Sequence, residues 1–281
     1  MTHLLFGLVS LIWGTSFILM KKASLAFGPL SIAALRVAFG ALALVVVIKL
    51  VKANWNLKKS HIFSIPLIAI TGNIYPYVII PHLIALYGSA FIGMMVGFVP
   101  IMTILISIPM LKTRPSRSQL RGVLGGLLCL AMICSDGFSR GIPFSALLLA
   151  STAPLTFSFT NTYIKRNMTD ISPLSLTCAM LIFSSTITLP VAFALEPVEI
   201  NNSLLPAFLS IIVLGVFCTG IATHMFLLMV QKRGPLFAGM VTYVIPVIAI
   251  IWGWLDSEYI SPMQLAAIAG IIVSVAIAQS K

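Results

Sequence analysis

Gly93-Met94-Met95-Val96-Gly97-Phe98-Val99-Pro100 is answered 146 residues later by Gly239-Met240-Val241-Thr242-Tyr243-Val244-Ile245-Pro246. Two further matches keep nearly the same spacing. Pro29-Leu30-Ser31 recurs as Pro173-Leu174-Ser175 at offset 144, which also takes Lys21-Lys22 to Lys165-Arg166. Gln119-Leu120 with Gly125 recurs as Gln264-Leu265 with Gly270 at offset 145. One match is chance; three in order at a near-constant offset read as an internal duplication, with halves 1–140 and 141–281.

The residues around these motifs are apolar on every side. Hydrophobic residues make up 59% of the 281-residue chain and charged residues 8%, against about 25% charged in soluble domains. So few charges cannot cover a soluble surface, and disorder requires low hydrophobicity. A bilayer-spanning helix needs about 20 apolar residues. Such stretches fall at 4–22, 29–49, 62–85, 88–111, 117–136, 142–164, 173–194, 204–230, 236–255 and 262–279. They are too long, and too uniformly apolar, for barrel strands. The expectation is an all-α polytopic membrane protein of ten transmembrane helices. Five spans per half is an odd number, so the second copy is inverted relative to the first. The first run reads as a retained helix rather than a cleaved signal.

Loop charges orient the chain. The net charge is +11, from 17 Lys and Arg against 6 Asp and Glu. With the N-terminus inside, thirteen basic residues are cytoplasmic: Lys49, Lys52, Lys58, Lys59, Lys112, Arg114, Arg117, Arg121, Lys165, Arg166, Lys232, Arg233 and Lys281. Three (Lys21, Lys22 and Arg140) are outside, and Arg36 lies within a span. Lys and Arg bias sets topology, so both termini are expected in the cytoplasm of an inner or plasma membrane protein. The same distribution makes the charge a topology signal and argues against nucleic acid. Asp136, Glu196, Glu199, Asp256 and Glu258 fall outside and Asp170 inside, in loops or at span ends. Cys129, Cys134, Cys178 and Cys218 lack metal-ligand spacing and read as small packing residues.

Trp13-Gly14-Thr15-Ser16-Phe17-Ile18-Leu19-Met20-Lys21, then Pro29 with Arg36, Ala85-Leu86-Tyr87-Gly88-Ser89-Ala90, Pro100, Pro246-Val247, Gly253-Trp254 and Glu258 together resemble the EamA family of the drug/metabolite transporter superfamily. The resemblance implies ten helices in two inverted five-helix repeats about a central cavity, and export of amino acids and related small metabolites. It departs from the family pattern where Leu111-Lys112-Thr113-Arg114 stands in place of an acid at the exit of the fourth span. The second half also has Met180 where the first has Arg36.

Several residues are candidates for substrate contact. Trp13, Ser16, Phe17, Met20 and Lys21 share one arc of the first helix, with Leu19 elsewhere on the wheel. Arg36 is the one cation placed within a span. It has two readings: a bidentate clamp on a substrate carboxylate, or a side chain snorkelling to the interface. Asn73 and Tyr77 lie on one face of the third span, beside Pro76 and Pro81. Asn161 belongs to a polar run in the sixth span, and Tyr243 to the second copy of the repeat motif. Each of these polar groups reads equally as an interhelical hydrogen bond. His82 and His224 are the intraspan groups that titrate near neutrality, so they are the proton-coupling candidates, with packing as the alternative. No catalytic or metal-ligating set and no cofactor is indicated. The expected partners are a small-molecule substrate and the lipid bilayer, with the chain a monomer or homodimer. A secondary transporter is the leading expectation; a membrane-embedded enzyme or a flippase acting on a lipid-linked group is the alternative.

Overall fold

A computed structural model describes residues 2–58, 61–112, 115–139 and 141–279. Lys59, Thr113, Arg114, Arg140 and Lys281, which entered the charge and motif arguments, lie outside the described residues. Those described residues form helices and connecting loops, with no strand among them. In chain order the helices are α1 (Thr2–Ala23), α2 (Pro29–Leu50), α3 (Ser64–Tyr87), α4 (Ser89–Leu111), α5 (Arg117–Ser139), α6 (Phe144–Asn167), α7 (Pro173–Leu195), α8 (Leu204–Arg233), α9 (Pro235–Leu255) and α10 (Pro262–Gln279). Eight of them are long and apolar enough to cross a membrane. The other two are α6 and α10. Helix α6 is long but carries Ser151, Thr152, Thr156, Ser158, Thr160, Asn161 and Thr162, and α10 has 18 residues.

Helix starts follow local chemistry. Pro29, Pro173 and Pro235 open α2, α7 and α9, where a missing N–H costs nothing. Ser172 Oγ caps α7 by accepting the Ser175 N–H at 3.1 Å. Two other helices are capped across the fold by carboxylates. Glu196 accepts the N–H groups of Leu30 and Ser31 at 3.1 and 2.7 Å, at the start of α2. Glu258 accepts those of Ser89 and Ala90 at 3.2 and 3.0 Å, at the start of α4. A negative charge at a helix N-terminus also answers the helix dipole.

Sharp turns join α3 to α4 and α8 to α9. Both are made by a glycine in the left-handed region, Gly88 at φ +86° and Gly234 at φ +91°, where a Cβ would be strained. Helices α3 and α8 each contain a stretch with i→i+5 hydrogen bonding, Ile70–Ile74 and Leu214–Ile221. Helix α5 packs along α10, and α2 along α7 and α8. The contact of α2 with α8 is backbone to backbone: a Cβ on Gly215 would sit 2.9 Å from the Arg36 carbonyl oxygen. Gly122, Gly125, Gly126 and Gly270 likewise allow close approach: a Cβ on each would run into Ser274, Tyr243 or Cys129.

One sequence expectation is corrected. Asp136 was placed outside, at the water-exposed end of its span, but α5 continues through Ser139 and buries it, 7% exposed. Gln264 Nε2 on α10 donates to Asp136 Oδ2 at 2.8 Å, which satisfies the carboxylate inside the helix pair.

Candidate functional site

Six helices, α1, α2, α3, α4, α6 and α9, meet around a cavity of about 80 Å³. One water needs roughly 10–15 Å³, so the space holds several waters or a small solute. Trp13, Ser16, Phe17 and Met20 line it from α1. Their i, i+3, i+4, i+7 spacing puts all four on one helical face, as the sequence wheel predicts. Pro76, Tyr77 and Ile80 come from α3, Pro154 and Phe157 from α6, Thr242 and Ile245 from α9, and Arg36 from α2.

Aromatic rings form one wall. Trp13 meets Phe157 at 5.7 Å between centroids and Phe226 at 4.7 Å. The indole N–H of Trp13 donates to the Cys218 carbonyl at 2.8 Å. Cys218 lies in the i→i+5 stretch of α8, where the shifted ladder leaves carbonyl oxygens open to side chains. The ring is thus held by a hydrogen bond on one edge and by an edge-on contact with Phe157 and a tilted contact with Phe226. The Ser16 hydroxyl is turned back onto the Trp13 carbonyl at 2.6 Å.

Arg36 supplies the charge of the cavity and is itself 4% exposed. Its Nε donates to Thr219 Oγ1 at 3.0 Å, and Nη1 reaches Met20 Sδ at 3.4 Å. Its Cζ lies 3.8 Å from the Tyr77 ring centroid, a cation–π contact. A guanidinium has five N–H donors; the other three have no protein acceptor among the described residues. No carboxylate pairs with it. Thr219 Oγ1 in turn donates to the Leu214 carbonyl at 2.9 Å, so the hydroxyl is satisfied at both ends.

Lys21 takes no part in the cavity. Its ammonium bridges Asp256 Oδ2 at 2.6 Å and Glu258 Oε1 at 2.7 Å, at the end of the molecule where α1 and α9 finish and α4 begins. Ser89 Oγ adds a hydrogen bond to Glu258 at 2.8 Å. Burial works against the Glu258 carboxylate, but the hydrogen bonds from Lys21, Ser89 and the Ala90 N–H outweigh it and hold the group below the ordinary glutamate value of 4.5.

The other candidates lie outside the lining. Asn73, 2% exposed in the i→i+5 stretch of α3, is one turn from Tyr77, and its Nδ2 has no partner. Asn161 is buried one turn along α6 from Phe157. Tyr243 is fully buried, its hydroxyl without a partner and close to Gly126. His82 is exposed on the outside of α3, and His224 interacts with the Pro173 backbone at the start of α7. Neither histidine is among the cavity residues. Phe157 and Ile80 were not picked out from sequence as substrate contacts. Pro154 beside Phe157 was a usable signal for a helix face turned inward. Nothing in the local pattern marks the i→i+5 stretch that presents Thr219.

Comparison with known proteins agrees with this architecture. The model of the EamA-like transporter family matches residues 1–135 and again residues 144–279. The chain belongs to the EamA-like transporter family. It is therefore a multi-pass membrane transporter, a reading that favours transport over enzyme chemistry. Among its relatives, the "Uncharacterized transporter YoaV" of Bacillus subtilis (strain 168) is 23% identical over 261 residues, which cover 91% of this chain and 89% of that protein. A solved crystal structure at 16% identity covers 99% of this chain and 96% of its own, with a TM-score of 0.78, and shows the same fold.

Within this EamA-like chain the cavity face of α1 is open to test. Trp13→Ala removes a ring that fills one wall and is expected to lower transport at least tenfold while membrane abundance stays within twofold. Leu19→Ala, on a partly buried residue outside the lining, is expected to change transport less than twofold. Equal losses in radiolabelled uptake would show that the cavity face is wrongly assigned.

Proposed function

We propose that this EamA-like protein is a secondary exporter of amino acids or related small metabolites that present a carboxylate. The observation that carries this is Arg36, a buried guanidinium with unused donors and no counter-ion, set in a small aromatic cavity among six helices. An uncompensated charge at membrane depth is expensive and defaults to a functional role. A substrate carboxylate would supply the missing charge in the bidentate geometry a guanidinium favours.

Alternating access between two inverted five-helix halves, 1–140 and 141–281, is the mechanism we propose. All ten helices then cross the bilayer. Three features support it: the family model matches twice, the glycine turns at Gly88 and Gly234 share a conformation, and the i→i+5 stretches begin at Ile70 and Leu214. The latter two pairs keep the 144–146 residue offset of the sequence repeat. Exchanging the conformations of two inverted halves turns an inward-open carrier outward.

In this proposal the protein lies in the inner or plasma membrane with both termini cytoplasmic, a reading supported by the loop-charge bias. In a background without the four native cysteines, an impermeant thiol reagent added outside should label Glu199→Cys and spare Lys52→Cys; the reverse pattern overturns the orientation. The function itself is tested by overexpression followed by untargeted measurement of metabolites in the medium. Release of one or more small carboxylates, absent with Arg36→Met, is expected. An unchanged medium from cells carrying folded protein would sink the export reading.

A further inference from the structure

The chain has six acidic residues, and all lie among the described residues. Asp256 and Glu258 hold Lys21. Glu196 caps α2. Asp136 accepts from Gln264, and Asp170 pairs with Lys58. Glu199 is in an exposed loop. None of the six lines the cavity, and among the described residues Arg36 is the only charged one that does. The empty cavity therefore carries one positive charge inside walls of Trp13, Phe17, Tyr77 and Phe157.

This fixes an electrostatic preference that depends on net charge rather than on shape. A monoanion brings the occupied cavity to neutrality. A zwitterion pairs its carboxylate with the guanidinium in the same way but leaves the site with its original excess charge. Its ammonium must also give up water beside a like charge, with no carboxylate to receive it. A cation raises the excess to two. Burial without compensation is the unfavourable case for ions in a low-dielectric interior, and neutral pairs are the tolerated one.

We propose that the site selects net monoanions with a compact apolar body, meaning carboxylates that lack a free ammonium, such as deaminated relatives of amino acids, over zwitterionic amino acids. This rests on the reading above that Arg36 receives the substrate carboxylate. Thr242 and Ser16 donate their hydroxyls to the Gly239 and Trp13 carbonyls at 2.7 and 2.6 Å, so each can offer an ammonium a neutral lone pair but no opposite charge. The aromatic face of Tyr77 is already taken by the guanidinium.

Three probes with one skeleton separate charge from size: 4-methylpentanoate, L-leucine and 3-methylbutylamine. Their binding to the purified full-length protein in nanodiscs at pH 7.5 is measured by calorimetry. The acid is expected to bind at least tenfold more tightly than the amino acid, and the amine not at all at the highest concentration used. Arg36→Lys should keep the order, since it keeps the charge; Arg36→Gln should abolish it. L-Leucine binding as tightly as the acid, in an Arg36-dependent way, overturns the charge rule and leaves the carboxylate role of Arg36 standing. Preference retained in Arg36→Gln, or no binding of any probe by folded wild-type protein, overturns both. The comparison among probes on the wild type stands even if the glutamine variant does not fold.

Discussion

Arg36→Met is expected to remove transport almost completely while leaving the folded protein as stable as before, or more so. The two halves of that result come from the same geometry. Truncating one partner of a buried charge pair costs about 2–5 kcal/mol, so loss of the guanidinium should reduce substrate affinity roughly 30- to 4,000-fold at about 1.4 kcal/mol per tenfold. The empty protein gains instead. Arg36 is 4% exposed, with one hydroxyl, one thioether and one aromatic face for company. A buried ion without an opposite charge is a net cost that methionine, of similar length, does not carry. Nor does the change orphan a neighbour, since Thr219 Oγ1 keeps its bond to the Leu214 carbonyl. A purely structural arginine would behave in the opposite way, with a lowered midpoint of thermal unfolding and falling membrane abundance. Thermal unfolding in detergent and uptake into proteoliposomes, measured on the same preparation, separate the two.

The helices were legible because each apolar run has the length of a span and is bounded by Pro, Gly or charge. Cavity residues on α1 were legible for the same kind of reason: Trp13, Ser16, Phe17 and Met20 keep one face over seven residues of regular helix. What sequence could not give were contacts that depend on a broken register. In α8 the i→i+5 stretch from Leu214 to Ile221 rotates the following residues, so the 100° wheel fails at the point where Thr219 meets Arg36 and the Cys218 carbonyl meets Trp13. Lys21 illustrates a different limit. It falls on the correct arc, but it is the last turn of α1, and its partners Asp256 and Glu258 come from the far end of the chain. A wheel gives direction around a helix axis, not which residues wait at the end. Asp136 was misplaced because the apolar count ends at it, whereas the helix runs on for three more residues and Gln264 covers the carboxylate.

The cluster around Lys21 leads to the second large expected effect, on which end of the carrier opens. At the outer end, in the proposed orientation, Glu258 ties the exit of α9 to the end of α1 through Lys21 and to the start of α4 through Ser89 and Ala90. The other end has ties of a different kind: Asp170 pairs with Lys58, the Lys165 ammonium donates to the Gln231 carbonyl, and Gln231 Nε2 donates to the Met168 and Ile171 carbonyls. A Cβ on Gly88 would meet Glu258 at 3.4 Å, whereas one on Gly234 would meet nothing within 4 Å. On the alternating-access proposal, the cluster of Lys21, Asp256 and Glu258 is what holds the outer end shut. Glu258→Ala should shift the resting population towards an open outer end. Spin labels at Lys22 and Tyr259, in a background without native cysteines, should report a second, longer distance by pulsed electron paramagnetic resonance, absent from the parent. The pH behaviour has a definite sign. Glu258 is held below 4.5 in the folded protein, so the contribution of its ionised form is complete above that value and is lost as pH falls through the lowered one. The parent distance should thus be unchanged from pH 8 to pH 5, with the longer population emerging only below about pH 4.5. Opening near pH 6 would instead mean that a histidine controls the outer end, and a single short distance in Glu258→Ala at pH 7.5 would mean that the ion pairs do not hold it shut.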